Sequence, residues 1–462
     1  MKKILLINPS WRQHAYLKTK VKEATLSQPV LSLATIAAPL LPKHKVKILD
    51  LDLYENNDIL QSVLNEFNPD YVGITGTTPF YNEMINISET IKNFNKNITV
   101  IVGGVHANAL PDDFINKESV DIIVVGEGDF ILNEIISKKI KDVKGVIWKH
   151  KNKIIRNPSR PFIEDLDKLP FPALNLFEID KYKGSHLTGR AHPIAPIETS
   201  RGCPNNCVYC NKNIFKRVFR VKSPKRVVDE IEYILSLGYK ELHIADDAFS
   251  TDIQRAKDIC DEIINRNLKF HWSLFNGIRV DRLDLELLKK LKKSGCYQIA
   301  FGIESGNQKI LDLINKGTTI IQIENAVKMS KEAGIETFGF FMFGLPGETE
   351  KTMRDTINFA KKLNLDIAKF VITIPYPGTE LYNDLNKKGL IKKKDWSKYF
   401  MHSSDSRIFE HPNLKWETIE KYYKKSFREY YLRPAYIYKR LIRSIKKKEV
   451  LKDIRAFLKT KW

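Results

Sequence analysis

Three of the five cysteines in this 462-residue chain fall within eight residues, in the run Glu198-Thr199-Ser200-Arg201-Gly202-Cys203-Pro204-Asn205-Asn206-Cys207-Val208-Tyr209-Cys210. The spacing is C-x3-C-x2-C. Thiolates this close can converge on one metal centre. Structural zinc takes four ligands, usually as two pairs. No fourth ligand is near, because the next histidine is His243 and Cys260 and Cys296 fall in segments that read as helix and strand edge. A disulfide would leave one thiol over and suits a reducing compartment poorly. A [4Fe–4S] cluster held by three thiolates leaves one iron open to an outside ligand, and thiolates are its normal ligands. The missing fourth ligand favours the iron–sulfur centre over zinc.

The elements around this loop repeat as strand then helix. Expected strands are Ile197–Ser200, Glu241–Ala245, Phe270–Phe275, Gln298–Gly302, Thr337–Phe343 and Ala368–Ile374, with helices near 224–237, 252–266, 284–294, 319–333 and 349–363. Parallel barrels carry their chemistry at the carboxyl ends of strands. There the sequence places Asp246-Asp247, Glu304-Ser305-Gly306 and Gly344-Leu345-Pro346-Gly347-Glu348. Acids after strands also cap helices. Asp252 and Ser250 can serve that use, which leaves at least one of Asp246 and Asp247 free.

The first 150 residues alternate differently. Short Ile- and Val-rich runs, Ile4–Asn8, Val46–Asp50, Tyr71–Thr75, Thr99–Val102 and Ile122–Val125, are separated by amphipathic stretches. Continuous apolar strands between helices predict a doubly wound parallel sheet covered on both faces. Glycine-rich loops at its strand ends, Thr75-Gly76-Thr77-Thr78, Gly103-Gly104-Val105-His106 and Gly126-Glu127-Gly128, would let a ligand approach the backbone. Tight turns alone would explain the same glycines. The dinucleotide fingerprint GxGxxG is absent, and His106 reads more readily as a hydrogen-bonding residue than as a ligand. Prolines punctuate 145–195, which reads as a connector. The expected organisation is 1–144 as the first domain, 145–190 as linker, 191–385 as the cysteine-bearing core and 386–462 as a basic helical region.

The cysteine motif, with an aromatic residue before its last cysteine, resembles the signature of radical S-adenosylmethionine (SAM) enzymes. The six strand–helix units match that family's partial (β/α)6 barrel. In the family SAM chelates the open iron and is cleaved to a 5′-deoxyadenosyl radical, so the resemblance makes Cys203, Cys207 and Cys210 the cluster ligands. It implies that Asp246 or Asp247 holds the SAM amino group, Glu304 the ribose hydroxyls, the backbone at Tyr209 the adenine, and the Gly344–Gly347 turn a close approach to SAM. The first domain resembles the cobalamin-binding domain of the class B subfamily. This implies cobalamin contacts at Thr75, Gly76, Thr77, Gly103, Gly104, Gly126 and Glu127, with Ser10-Trp11-Arg12 and Thr77-Thr78-Pro79-Phe80 beneath or beside the corrin. The DxHxxG cobalamin-ligating motif is absent, so that histidine cannot be the lower ligand.

The resemblance implies C-methylation of an unactivated carbon in a small molecule or lipid. The alternative is cyclisation or rearrangement of the anaerobic magnesium-protoporphyrin cyclase type. Methylthiolation of tRNA ranks low, because relatives doing so carry three further cysteines in the first domain, whereas residues 1–202 contain none. A non-catalytic cobalamin or iron–sulfur protein is the remaining reading.

The net charge of +21 is uneven. Residues 1–150 hold 17 basic and 17 acidic residues, residues 151–385 hold 36 and 30, and residues 386–462 hold 23 and 8. A neutral front half argues against a nucleic-acid surface. The run 211–226 has seven basic residues and no acid. It is either a solvated loop or a contact for an anionic substrate or an acidic electron donor, flavodoxin or ferredoxin. In the tail, Ile437, Leu441, Ile445, Leu451, Ile454 and Leu458 recur at helical spacing among basic residues, with Phe457 and Trp462 beside them. That pattern suits an anionic membrane surface or a stripe packed on the barrel. With no apolar span or signal sequence, a cytoplasmic location is expected, peripheral at the membrane if the tail binds it.

Overall fold

The computed structural model describes residues 1–10, 27–55, 58–151, 153–184, 186–392, 395–400 and 407–459. Trp11, Arg12 and Trp462 lie outside the described residues, as does the side chain of Phe457.

The first sheet contains β1 (Lys3–Asn8), β2 (Lys45–Asp50), β3 (Tyr71–Thr75), β4 (Thr99–Gly103), β5 (Ile122–Val124), β6 (Val146–His150) and β7 (Lys153–Arg156), in the order β2-β1-β3-β4-β5-β6-β7. The first five are parallel, and β6 and β7 add an antiparallel hairpin. Six helices cross between or flank them: α1 (Leu31–Ala37), α2 (Asp58–Phe67), α3 (Tyr81–Phe94), α4 (Val105–Ala109), α5 (Pro111–Ile115) and α6 (Ile131–Ser137). Successive residues of a strand point to opposite faces. Leu5 and Ile7 accordingly join Leu64, Val72 and Met84 in one core, while Ile4 and Leu6 join Leu33, Ala34 and Ile131 in another. The second core continues without a break into the following domain.

The hairpin β6–β7 falls where the sequence reads as connector. Its edge strand is almost wholly exposed, so no apolar periodicity marked it. The stretch from 157 to 193 is irregular, but it is a strap rather than a loose linker. Leu166, Leu174 and Tyr182 are buried. Tyr182 donates to Asp50 Oδ2 at 2.7 Å, and the Ala173 amide to Ala34 O at 3.0 Å.

The second sheet is parallel throughout, in the order β8-β11-β12-β13-β14-β15. Its strands are β8 (Ile194–Ile197), β11 (Glu241–Ile244), β12 (His271–Ile278), β13 (Cys296–Glu304), β14 (Glu336–Phe343) and β15 (Ile367–Ile372). Between β8 and β11 the short strands β9 (Ser200–Arg201) and β10 (Arg220–Val221) pair antiparallel. The expected strand Ile197–Ser200 is thus two pieces, one inside the sheet and one leaving it.

The helices α7 (Pro224–Ser236), α8 (Ile253–Asn265), α9 (Leu285–Lys293), α10 (Gln308–Leu313), α11 (Ile320–Glu332) and α12 (Glu350–Leu363) follow the strands. Five of them start at side-chain caps: Ser223, Asp252, Asp284, Thr319 and Thr349 each accept from a first-turn amide. The expected helices are all present. The short α10 and α13 (Glu380–Lys387) were not anticipated.

The C-terminal helices are α14 (Trp416–Tyr431), α15 (Pro434–Lys447) and α16 (Val450–Lys459). Apolar residues of α14, among them Phe427 and Tyr430, pack on Phe370 of β15. The next helix is inverted. It docks through the Tyr436 ring, packed on Tyr430 and Tyr431, and through polar groups: Lys439 pairs with Asp366 at 3.0 Å, Arg443 with Glu336 at 2.6 Å, and Ser444 is buried. Its apolar stripe faces outward, with Ile437, Leu441 and Ile445 at 47, 47 and 59% exposure and Leu451 and Leu458 of α16 at 73 and 76%. The stripe is not packed on the barrel. No helix among the described residues is long and apolar enough to cross a membrane.

Candidate functional site

The cysteines occupy the loop of the β9–β10 hairpin. Gly202 opens it with φ +80°, and a Cβ there would lie 2.2 Å from Val218 O, so only glycine fits. Main-chain bonds fix the loop on both sides. Val208 N donates to Ile314 O at 3.1 Å, Leu381 N to Val208 O at 2.9 Å, and Cys210 N to Cys207 O at 3.2 Å. Cys203 and Cys207 are half-buried and Cys210 is exposed. Cys260 and Cys296 are free buried thiols.

Asp246 and Asp247 prove to have different jobs. Asp246 is buried and accepts from Thr199 N, Thr199 Oγ1 and Ser200 Oγ at 2.5–2.6 Å, which ties β11 to the entry of the cysteine hairpin. Most of its acceptor capacity is thus used by the protein itself. Asp247 is exposed and accepts only the Gly202 amide, at 3.2 Å. Asp252 caps α8, as expected.

Glu304 ends β13 at a register shift, in the left-handed region with φ +65°. Such strain in a non-glycine residue marks a position held by its surroundings. Its carboxylate pairs with Lys316 Nζ at 2.9 Å, and the same amine lies 3.3 Å from the Tyr209 hydroxyl. The pair lies over Gly302, where a Cβ would meet Glu304 Oε1 at 2.6 Å and Lys316 Nζ at 2.8 Å. Burial, then the Glu304 charge, holds the Tyr209 phenol well above its usual range. Lys316 was missed in the sequence, because a lysine twelve residues past Glu304 carries no local signal.

The Gly344–Glu348 turn closes on itself. Glu348 Oε2 accepts from Gly344 N at 2.6 Å and Leu345 N at 3.0 Å, and burial pushes its carboxyl up to about 8. Protein also fills the space beside the glycines, Ile419 near Gly344 and Leu313 near Gly347. Both glycines sit in the left-handed region, Gly344 at φ +80° and Gly347 at φ +78°, which the turn requires.

A buried charge network joins the two domains. Arg201 donates Nη1 and Nη2 to Asp129 at 2.8 and 2.7 Å, Nη1 to Glu127 at 2.8 Å and Nε to Glu198 at 2.6 Å. Arg220 Nη1 also binds Glu127, and Glu127 Oε2 accepts the Ile163 amide at 2.8 Å. Glu127 thus ties the two domains together, and it also lines the cavity between them. The basic run 211–226 is likewise not simply a solvated loop. Arg220 pairs with Glu127, while Lys222 and Arg226 pair with Glu230, leaving Lys216 and Arg217 exposed.

A cavity of about 300 Å³ lies between the domains. Thr75, Gly103, Gly104 and Gly126 line it from the first domain, and Arg201, Phe215 and Ala245 from the second. Asn108, missed in the sequence, ties the loops together by donating to Gly104 O at 2.9 Å and accepting from Gly126 N at 2.7 Å. Gly76 and Thr77 are not among the lining residues; Gly76 instead backs onto Met84.

Residues 197–360 match the model of the radical SAM superfamily, and residues 19–136 that of the B12 binding domain. An uncharacterised methyltransferase of Pyrococcus horikoshii is 34% identical over 422 residues, covering 89% of each chain. The chain belongs to the radical SAM enzymes that carry a B12-binding domain. The anaerobic magnesium-protoporphyrin IX monomethyl ester cyclase of Rubrivivax gelatinosus is 30% identical over 356 residues, 74% of this chain and 63% of the cyclase. The solved structure of the radical SAM methyltransferase TsrM from Kitasatospora setae, with cobalamin and a [4Fe–4S] cluster bound, shares the fold at a TM-score of 0.67 and 20% identity, over 84% of this chain and 78% of that one.

The cofactors of this radical SAM enzyme are a [4Fe–4S] cluster, SAM and cobalamin. Its residues fit them. Cys203, Cys207 and Cys210 are free thiols on one loop, and thiolates are the normal ligands of such a cluster. On the B12 side Gly126, at φ +92°, has nothing within 4 Å of where a Cβ would stand, a cradle open to the cavity. No histidine is among the lining residues. His106 is fully buried, set 3.2 Å from Thr78 Oγ1 and 3.3 Å from Asp113 Oδ2, and ringed by Tyr81, Phe114 and Trp396. It is a core residue, not a ligand.

Proposed function

We propose that this radical SAM enzyme methylates an unactivated carbon of a small molecule or lipid. The observation that carries the reading is a cavity lined by both domains, with the B12-binding glycine loops on one wall and Arg201, two residues before Cys203, on the other. When bound, the cluster supplies the electron that cleaves SAM and cobalamin supplies the methyl group.

The chain's own residues position these partners. Cys203, Cys207 and Cys210 hold the cluster. Asp247, the carboxylate left open beside the loop, faces the SAM ammonium. Glu304 accepts from the ribose hydroxyls, with Lys316 holding its carboxylate in place, and the Tyr209 backbone borders the adenine. Thr75, Gly103, Gly104 and Gly126 form the cobalamin-facing wall. Radical SAM chemistry needs a reductant, and Lys216 and Arg217 offer an acidic flavodoxin or ferredoxin a basic approach beside the cluster loop.

The outward apolar stripe of α15 and α16, interleaved with basic side chains, fits the surface of an anionic membrane and favours a lipid among the substrate classes. The deciding experiment uses SAM labelled in its methyl group with anaerobically reconstituted enzyme. Label in a carbon-methylated product supports the proposal, whereas product formation without label supports the cyclase-type alternative and overturns it.

A further inference from the structure

The concave face of the second sheet carries a ladder of rings outside the residues assigned above to the cofactors. His243 of β11 stacks on Phe275 of β12 at 5.4 Å between centroids. Phe275 meets Phe338 of β14 edge-on at 5.9 Å, and Phe338 stacks on Phe340 at 4.7 Å. Strand β13 lies between β12 and β14, so Phe275 and Phe338 can touch only across the hollow of a curved sheet. The convex face is filled separately by Phe341, Phe343 and Phe370 against α14.

On β15 the residue beside Phe370, Lys369, points the other way, toward the rings. Its Nζ stands 5.9 Å from the Phe340 centroid. Among the described residues it has no hydrogen bond and no ion pair, unlike Lys316, Lys222 or Lys257, each of which reaches a carboxylate. Burial alone pulls the amine down to about 8. Phe275, Phe340 and Lys369 are all half-buried, so the described residues leave part of each uncovered. A desolvated amine without a partner lowers stability, and a fold keeps one where something else supplies the counter-charge.

We propose that Lys369 is the specificity-determining contact of the substrate site, holding an oxyanion of a substrate whose flat apolar body rests on Phe275 and Phe340, with the buried Phe338 ring backing both. This rests on the reading of the barrel as a substrate-bearing radical SAM core. The aromatic faces would carry the body of the molecule, and the amine would fix its direction.

Three probes of one shape test it with the full-length protein: 2-naphthoate, 2-naphthyl phosphate and neutral 2-naphthylmethanol, followed by their fluorescence. Wild type is expected to bind at least one anion about tenfold or more tighter than the alcohol. The tighter anion identifies carboxylate or phosphate as the headgroup. Lys369→Met and Lys369→Gln should abolish the preference and leave alcohol binding unchanged, Lys369→Arg should keep it, and Lys369→Met should not lower the Tm. A preference that survives in the neutral variants, or no preference in wild type, overturns the proposal. Formation of 5′-deoxyadenosine without substrate is measured in parallel. With dithionite as reductant, its absence in wild type sinks the reading of the barrel as a working substrate site, while a normal yield with no lysine-dependent binding sinks only the Lys369 assignment.

Discussion

Arg201 grips Asp129 with both terminal nitrogens, at 2.8 and 2.7 Å, across the boundary between the B12-binding domain and the radical SAM core. A forked, buried pair of this kind fixes direction as well as distance. It sets the hairpin that carries the cysteines against the glycine loops of the neighbouring domain. Replacing Arg201 with Met would leave Glu127, Asp129 and Glu198 facing one another with Arg220 as the remaining guanidinium. Loss of one partner from a buried pair costs about 3–5 kcal/mol. Urea denaturation should show a drop of that order, and an unchanged midpoint would mean the network contributes little.

The two adjacent aspartates should separate cleanly. Asp247→Asn is expected to weaken SAM binding about tenfold or more through loss of a charge-assisted contact, with stability unchanged. Asp246→Asn should do the reverse, since it disturbs three buried hydrogen bonds, at a cost of about 1–3 kcal/mol. Calorimetric titration with SAM and thermal unfolding of both variants read the two effects. Equal losses of affinity would contradict the division of labour.

Glu348 gives the fold a pH dependence of defined sign. Its carboxyl is raised to about 8 in the folded protein by burial, against 4.5 ordinarily. The folded state thus holds this proton more tightly than the unfolded chain. The stability this adds is fully present below about 4.5 and is lost as pH rises through about 8. Glu348→Gln, which can still accept from Gly344 and Leu345, should flatten that loss. Denaturation at pH 5 and pH 9 checks it; parallel behaviour of wild type and variant would count against the buried acid.

The inverted helix α15 predicts binding to anionic vesicles. Substituting Ile437, Leu441 and Ile445 together with Asp should abolish co-sedimentation with phosphatidylglycerol vesicles and leave the Tm within a degree or two of wild type, because these side chains touch little protein. Retained binding by the triple variant would remove the membrane reading.

The strands and helices were legible because their signals are local. Leu5 and Ile7 against Ile4 and Leu6, or Ser223 and Asp252 at helix starts, announce themselves in sequence. The cysteine loop was legible for the same reason. What escaped depends on residues that meet only after folding. Nothing beside Glu127 says that its partners are Arg201 and Arg220, 74 and 93 residues away. Asp246 and Asp247 are alike in the chain and differ only in which one Thr199 and Ser200 reach. The direction of the stripe on α15 was undecidable from periodicity, since a helix packed by its apolar side and one docked by its salt bridges share the same pattern.

The main-chain stitching of the cysteine loop, from Val208 to Ile314 on one side and to Leu381 on the other, bears on repair. Clusters with an open iron are vulnerable to oxygen, and a loop shaped only by its metal would collapse when the metal left. Here main-chain bonds to two neighbouring elements hold the loop at Val208. A molecule stripped by oxidation is then expected to keep the loop and to take up a new cluster under native conditions, which recovery of the cluster absorbance after anaerobic reconstitution would read.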